Sequence, residues 1–151
     1  MRTYDPKQVI VNWANETLVS FADGTFLNAT RTSDLWELFS GSDGEITRIK
    51  SNDKSGIITL TLTQSSPSNT VLQAAVNADE IANTGIFPFL AKDFTSETAQ
   101  LAAANTFVKR IPDWARATGG GSDIEWVFAC DVLRIAHGTG LLTTAVALGV
   151  P

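Results

Sequence analysis

A chain of 151 residues with 44% hydrophobic and 18% charged side chains can bury one core without staples, under a surface lean in charge. Its net charge of −5 excludes nucleic-acid binding through phosphates, which an acidic surface repels. The single cysteine, Cys130, excludes an internal disulfide, and the polar start MRTYDPKQ lacks the basic-then-apolar pattern of a secretory signal.

After the Pro-containing start, residues 9–13 (VIVNW) read as a first strand, 14–16 as its turn and 17–21 as the returning strand. Asp23-Gly24 is a turn signal, and 26–32 resume strand character. Residues 34–39 (DLWELF) fit either a helical turn or a strand with poor alternation. The Gly-rich 41–44 turn, followed by EITRIK, places a hairpin within 26–52, ended by 52–56 (NDKSG).

Residues 57–63 form the clearest strand: Ile58, Leu60 and Leu62 point one way and Thr59, Thr61 and Thr63 the other. Threonine is a β-former that suits a face meeting a neighbouring subunit or a wet channel. The alternatives are open solvent or a position beneath a helix. Ser66-Pro67 is a helix start, the hydroxyl capping free N–H groups and proline taking the first helical position. Val71, Leu72, Ala75, Val76 and Ala78 then recur at helical spacing through Asp79, predicting one amphipathic helix of about three to four turns.

Residues 86–92 and 99–108 read as two further strands around the polar 93–96. Residues 111–123 (IPDWARATGGGSD) read as a loop or long hairpin tip, and 124–135 as a last strand with Ile124, Trp126, Phe128, Cys130 and Val132 on one side. The fold class is mainly β, a β-sandwich or barrel with one flanking α-helix and long hairpin and loop extensions. The whole chain, 1–151, reads as one domain, with 136–151 set apart as a C-terminal extension.

Chemistry is harder to find. His137 is the only histidine and stands in AHGTG without a nucleophile motif, so a surface position explains it better than a catalytic dyad. Zinc needs more His and Cys ligands than the chain holds. Residues 119–122 (GGGS) lack the Lys-Ser/Thr pair of a phosphate loop and precede a strand, and 42–45 (SDGE) has too few alternating carboxylates for a calcium loop. Asp34 and Glu37 fit a solvated face better than acid–base work. Neither a catalytic residue, nor a cofactor, nor a metal site is expected. The longest weakly polar stretch, LLTTAVALGVP, is too short to span a bilayer.

The aromatic residues say more. Trp126 and Phe128 belong in the core, whereas Trp36 and Trp114 have charged neighbours (LWEL, DWAR) and mark either a partner surface or the ends of a barrel. Trp36, Phe39, Ile46, Trp114 and Arg116 are the candidate subunit-interface residues. The 26–52 hairpin is expected to reach a neighbouring subunit, and the 111–123 loop to make the ring-to-ring contact.

The blocks RTYDPKQVIV at 2–11, FADGTF at 21–26, GSDGEITR at 41–48, SGIITLTLTQSSPSN at 55–69 and EWVFACDV at 125–132 resemble, in matching order, the tail tube proteins of contractile-tailed bacteriophages. The similarity extends from residue 2 to about residue 135. It implies a non-enzymatic virion protein, made in the host bacterial cytoplasm, whose β-sandwich subunits form hexameric rings stacked into a hollow tube. A contractile sheath would surround that tube, tail tip or baseplate and terminator proteins would meet its ends, and genomic DNA would pass through the lumen without specific binding. A tailocin or secretion-type tube shares the same physics. Six copies would carry roughly −30, which keeps DNA from adhering to the wall. The competing reading is a small-ligand-binding β-barrel or an accessory virion protein that decorates the particle, whose mark would be an enclosed apolar pocket.

Overall fold

The computed structural model describes residues 1, 3–94, 99–116, 118 and 122–137. The 119–121 tip, residues 95–96 and most of the 136–151 extension lie outside the described residues. The elements are β1 (Val9–Trp13), β2 (Glu16–Leu18), β3 (Leu27–Arg31), β4 (Trp36–Ser40), β5 (Ile46–Lys50), β6 (Gly56–Leu62), α1 (Ser68–Ala82), β7 (Phe87–Asp93), β8 (Gln100–Arg110), β9 (Ile124–Cys130) and β10 (Leu133–Ala136).

All strand pairs are antiparallel. One eight-stranded sheet runs β2-β1-β7-β8-β9-β6-β3, with β10 also on β8, while β4 and β5 pair only with each other. The architecture is therefore the mainly β sandwich with one helix that the alternation predicts. The sheet curls. Trp13 on β1 and Phe128 on β9 stand three strand positions apart, about 14 Å in a flat sheet, yet their rings are 5.2 Å apart. The segment after β2 closes the body by pairing with β6: Thr63 N–H donates to the Ser20 carbonyl at 3.0 Å, and Ala22 N–H to the Thr61 carbonyl at 3.0 Å.

The interior is filled by the inward face of every long strand. Val11 and Trp13, Ile58, Leu60 and Leu62, Phe89 and Ala91, and Trp126 and Phe128 are all buried, with Leu72 and Val76 of the helix packed onto them. Trp13 meets Phe87 and Phe128 edge-on, and its indole N–H donates to the Thr106 carbonyl at 3.2 Å, so its polar edge is satisfied. Cys130 is buried as its apolar flanks predict, and burial raises its thiol above the ordinary pKa.

The helix starts one residue later than read, with Pro67 as its N-cap and Ser68 as its first residue. Ser66 Oγ accepts the Ser68 N–H at 3.2 Å with Pro67 between them, and the same hydroxyl donates to the Val19 carbonyl at 2.6 Å. It runs three residues past Asp79, to Ala82, because Asn83 supplies the left-handed stop (φ 55°). Ala78 faces out, since the apolar stripe narrows to Leu72 and Val76 with Ala75 beside them. As the helix covers the core side, it does not lie over Thr59 and Thr61, which occupy the opposite face of β6.

Three expectations are corrected. The returning strand is short: only Glu16–Leu18 pairs with β1, because Ala14 and Asn15 (φ 56° and 61°) make the turn alone and Ser20 (φ 60°) swings the chain across to β6. The 26–52 segment is not one hairpin; β3 belongs to the main sheet through β6, and the ambiguous DLWELF stretch supplies β4, a strand. The 124–135 strand breaks at Asp131-Val132, so Leu133 rather than Val132 is buried. A bulge in β8, where the β7 register shifts between Phe87 and Phe89, swaps its faces at the same level, and Asn105 Nδ2 donates to Asp131 across the two strands at 2.7 Å.

Phe128→Ala removes a ring touched by Trp13 and Phe89 and is expected to destabilise the fold by about 3–5 kcal/mol in denaturant titrations. By contrast, Thr106→Val is expected to be neutral or mildly stabilising, since the buried Thr106 hydroxyl has no hydrogen-bond partner among the described residues.

Candidate assembly surfaces

Seven register pairs join β6 to β9, from Gly56↔Cys130 to Leu62↔Ile124, a span of about 20 Å. The candidate interface residues fall at the two ends of this ladder. Trp36, Phe39 and Ile46 lie on the β4–β5 hairpin beyond Gly56, whereas Trp114 and Arg116 lie in the loop after β8, beyond Ile124.

The hairpin is built by local chemistry. Gly44 (φ 86°) turns the chain, Gly44 N–H donates to the Gly41 carbonyl at 3.0 Å, and Asp43 Oδ1 accepts the Glu45 N–H at 3.1 Å. At the base, Asp53 accepts the Ser33 and Ser55 hydroxyls, both at 2.6 Å, and these hydrogen bonds hold its carboxyl below the ordinary carboxylate pKa. All ten strand residues are exposed. Direct cross-strand partners share a face, so Trp36, Leu38 and Ser40 stand with Ile46, Arg48 and Lys50, while Glu37 and Phe39 stand with Ile49 and Thr47. The structure thus separates Phe39 from Trp36 and Ile46. The Arg48 guanidinium lies 3.8 Å from the Trp36 ring centroid, covering part of the indole.

An isolated two-stranded sheet is marginal in water, yet this one exposes Trp36, Leu38, Phe39, Ile46 and Ile49, with Leu35 beside them. Sequence reasoning missed Leu38 and Ile49; their signal is the alternation within WELFS and ITRIK, hidden because both faces carry apolar residues.

At the other end, residues 111–116 form a ridge between two grooves. One, of about 550 Å³, opens against α1 and is lined by Asn69, Gln73, Ile111, Trp114, Ile124 and Trp126, among others. The smaller, about 240 Å³, lies against β9 beside Asp123 and Glu125. Trp114 is 82% exposed, with the Arg116 guanidinium 4.6 Å from its ring centroid. Both grooves are open to solvent, and the barrel interior between the ends is filled by side chains. Asp34 and Glu37 are exposed, as is His137, and no cluster of three His, Cys, Asp or Glu side chains suited to a metal occurs among the described residues. No helix among the described residues is long and apolar enough to cross a membrane.

Comparison with known proteins gives the same picture. A family model described as "Bacteriophage PhiTE tail tube protein" matches residues 19–138. No curated protein matches the sequence. Among solved structures, the chain is similar to the anti-feeding prophage cap that terminates its tube (TM-score 0.62, 13% identity, covering 89% of this chain and 91% of the other). It is also similar to the PVC extracellular contractile injection system's sheath/tube terminator in the extended state (0.63, 16%, 89% and 97%). A third match is the sheath-tube complex of that system in the extended state (0.62, 16%, 88% and 90%). At these identities the likeness is one of fold.

Trp114→Ala is expected to leave the isolated fold unchanged within about 0.5 kcal/mol by thermal or denaturant unfolding while lowering self-association by sedimentation. Unfolding of the variant would make Trp114 a stability residue.

Proposed function

The chain belongs to the bacteriophage PhiTE tail tube protein family and is a structural component of a phage tail tube; from this premise we propose that it is the repeating subunit of that tube. In this reading, copies close into hexameric rings, the rings stack into a hollow cylinder inside a contractile sheath, and tail tip and terminator proteins meet the cylinder's ends. DNA passes through the lumen to the host. The observation that carries the reading is the β4–β5 hairpin: a sheet with no core of its own, exposing large apolar residues on both faces, needs a second molecule to cover it. The packed barrel interior supports a structural role over ligand storage.

Each partner surface has a candidate. Trp36, Phe39 and Ile46 on the hairpin, and Trp114 and Arg116 on the ridge, supply contacts between copies. The outer face of β6, with Ile57, Thr59 and Thr61 half-buried beside Asn28 and Thr30, supplies a wall for the lumen with one carboxylate at its rim, Glu125 opposite Thr61, where the groove against β9 begins. DNA is repelled by the net charge and finds few fixed cations there.

Purified protein is expected to form rings or stacked tubes in negative-stain micrographs, alone or on a tail tip complex. A strict monomer at millimolar concentration, with and without that nucleus, overturns the proposal. For the lumen, Thr59→Lys with Thr61→Lys is expected to leave tubes intact while slowing DNA release from assembled particles. Loss of tubes by a folded variant would instead make this face a contact between copies.

A further inference from the structure

The Trp36 face of the arm at the Gly56 end and the groove against β9 at the Ile124 end differ in charge as well as shape. At the Gly56 end, Arg31, Lys54 and Arg134 come together around one residue, Leu133. The Arg31 guanidinium donates to the Leu133 carbonyl at 2.8 and 3.0 Å, Leu133 N–H donates to the Lys54 carbonyl at 2.8 Å, and Arg134 follows in sequence. Desolvation, then the charges of Arg134, Lys50 and Arg31, lower the Lys54 pKa, as expected where cations crowd. The hairpin as a whole is acidic, with Asp34, Glu37, Asp43, Glu45 and Asp53 against Arg48 and Lys50, but its Trp36 face carries both cations and no carboxylate, since Glu37 points to the other face and Asp43 and Glu45 sit in the turn.

At the Ile124 end the groove against β9 is acidic: Asp113, Asp123 and Glu125 line it with Arg110 as its one cation, while Lys109 and Arg116 do not line it. Arg110 is paired with Asp113 at 3.6 Å and Arg116 is laid over Trp114, whereas Asp123 and Glu125 are exposed and form no ion pair among the described residues. Ile111, Pro112 and Val127 supply apolar surface in the same groove. One end therefore presents apolar and cationic groups on a projecting arm, and the other apolar and anionic groups in a recess. A molecule with complementary surfaces at opposite ends joins its copies head to tail, which is the heterologous geometry that builds rings and filaments.

We propose that the Trp36 face of the β4–β5 hairpin of one copy seats against the 111–116 ridge of the next, with Arg48 and Lys50 facing Asp123 and Glu125. The occupant of the groove is thus a second copy of this chain. The inference rests on the tube reading and adds to it the pairing and its direction. Like charges at either end would oppose the contact, so the same pairs that join arm to groove also bar arm-to-arm and groove-to-groove association.

Charge exchange tests it, with sedimentation and electron microscopy as readouts and circular dichroism to confirm folding. Arg48→Glu with Lys50→Glu, and separately Asp123→Lys with Glu125→Lys, are each expected to raise the concentration needed for assembly about tenfold or more. The chain carrying all four substitutions restores complementarity and is expected to assemble near the wild-type threshold while excluding wild-type copies. A disulfide between Leu38→Cys on the arm and Ala115→Cys on the ridge, formed between chains of a tube whose own Cys130 is buried, is expected under mild oxidation. If wild-type tubes form but the paired variants assemble unchanged and the disulfide does not form between copies, the pairing is wrong and the tube reading stands. If wild-type protein forms no tube under any condition, the tube reading itself falls and the pairing falls with it.

Discussion

The contact of Trp13 with Phe128 across the interior is the constraint on which the rest of the molecule depends. A sheet of this order, left flat, would expose one apolar face along its whole width. Bringing β1 against β9 turns that face inward, and the sheet's own side chains then fill the space they enclose. Two devices permit the curl. The bulge in β8 and the break at Asp131-Val132 bend adjacent strands at one level, and the Asn105–Asp131 hydrogen bond ties the bends together. Gly56 marks the tightest point of the closure: a Cβ there would meet Leu133 Cδ2 at 2.4 Å, so only glycine lets β6 pass beneath β10.

Because the core is satisfied by the curled sheet and two helical side chains, the remaining apolar surface has no place inside. Its largest cluster is on the β4–β5 arm, Ile111 and Trp114 of the 111–116 ridge stand at the opposite end of the body, and residues such as Ile81, Leu90 and Phe107 are scattered elsewhere. The separation matters. Were the arm adjacent to the ridge, one copy could fold its own hairpin into its own groove and end as a closed monomer. The ladder of about 20 Å between them puts the arm's apolar face out of reach of its own groove, so burial of both requires another molecule.

Much of this was legible in the sequence, and the reasons are local. Strict alternation in 57–63 and 124–130 fixed both the strands and the face each turns inward, and Ser66-Pro67 located the helix start, because these signals depend on neighbours in the chain. What escaped depended on neighbours in space. The register swap at 131–132 comes from the matching bulge on β8, which nothing in the CDVL stretch announces. The brevity of β2 comes from Ser20 leaving for β6, a partner some forty residues away in sequence. The DLWELF segment resisted reading because both of its faces are apolar and exposed, a pattern without a core to impose a period. That ambiguity is itself informative: local rules fail where the missing context belongs to another chain.

The same logic explains why the hairpin, zipped by its own β4–β5 ladder, is fixed at its base and tip but packs on nothing along its length. Asp53 with Ser33 and Ser55 fixes the exit from the barrel, and Gly41–Gly44 with Asp43 fixes the turn, while the strands between meet solvent on both faces. Ordering the arm beforehand lowers the entropy lost on docking, and withholding a local core keeps its apolar residues available for a partner. Arg48 on Trp36 shields the indole in the free chain, and in the proposed contact the same guanidinium meets a carboxylate of the next copy. An arm that packed onto its own barrel would be more stable alone and would have little left to offer a neighbour. In the proposed assembly, the free subunit's exposed apolar surface is thus the source of the association energy.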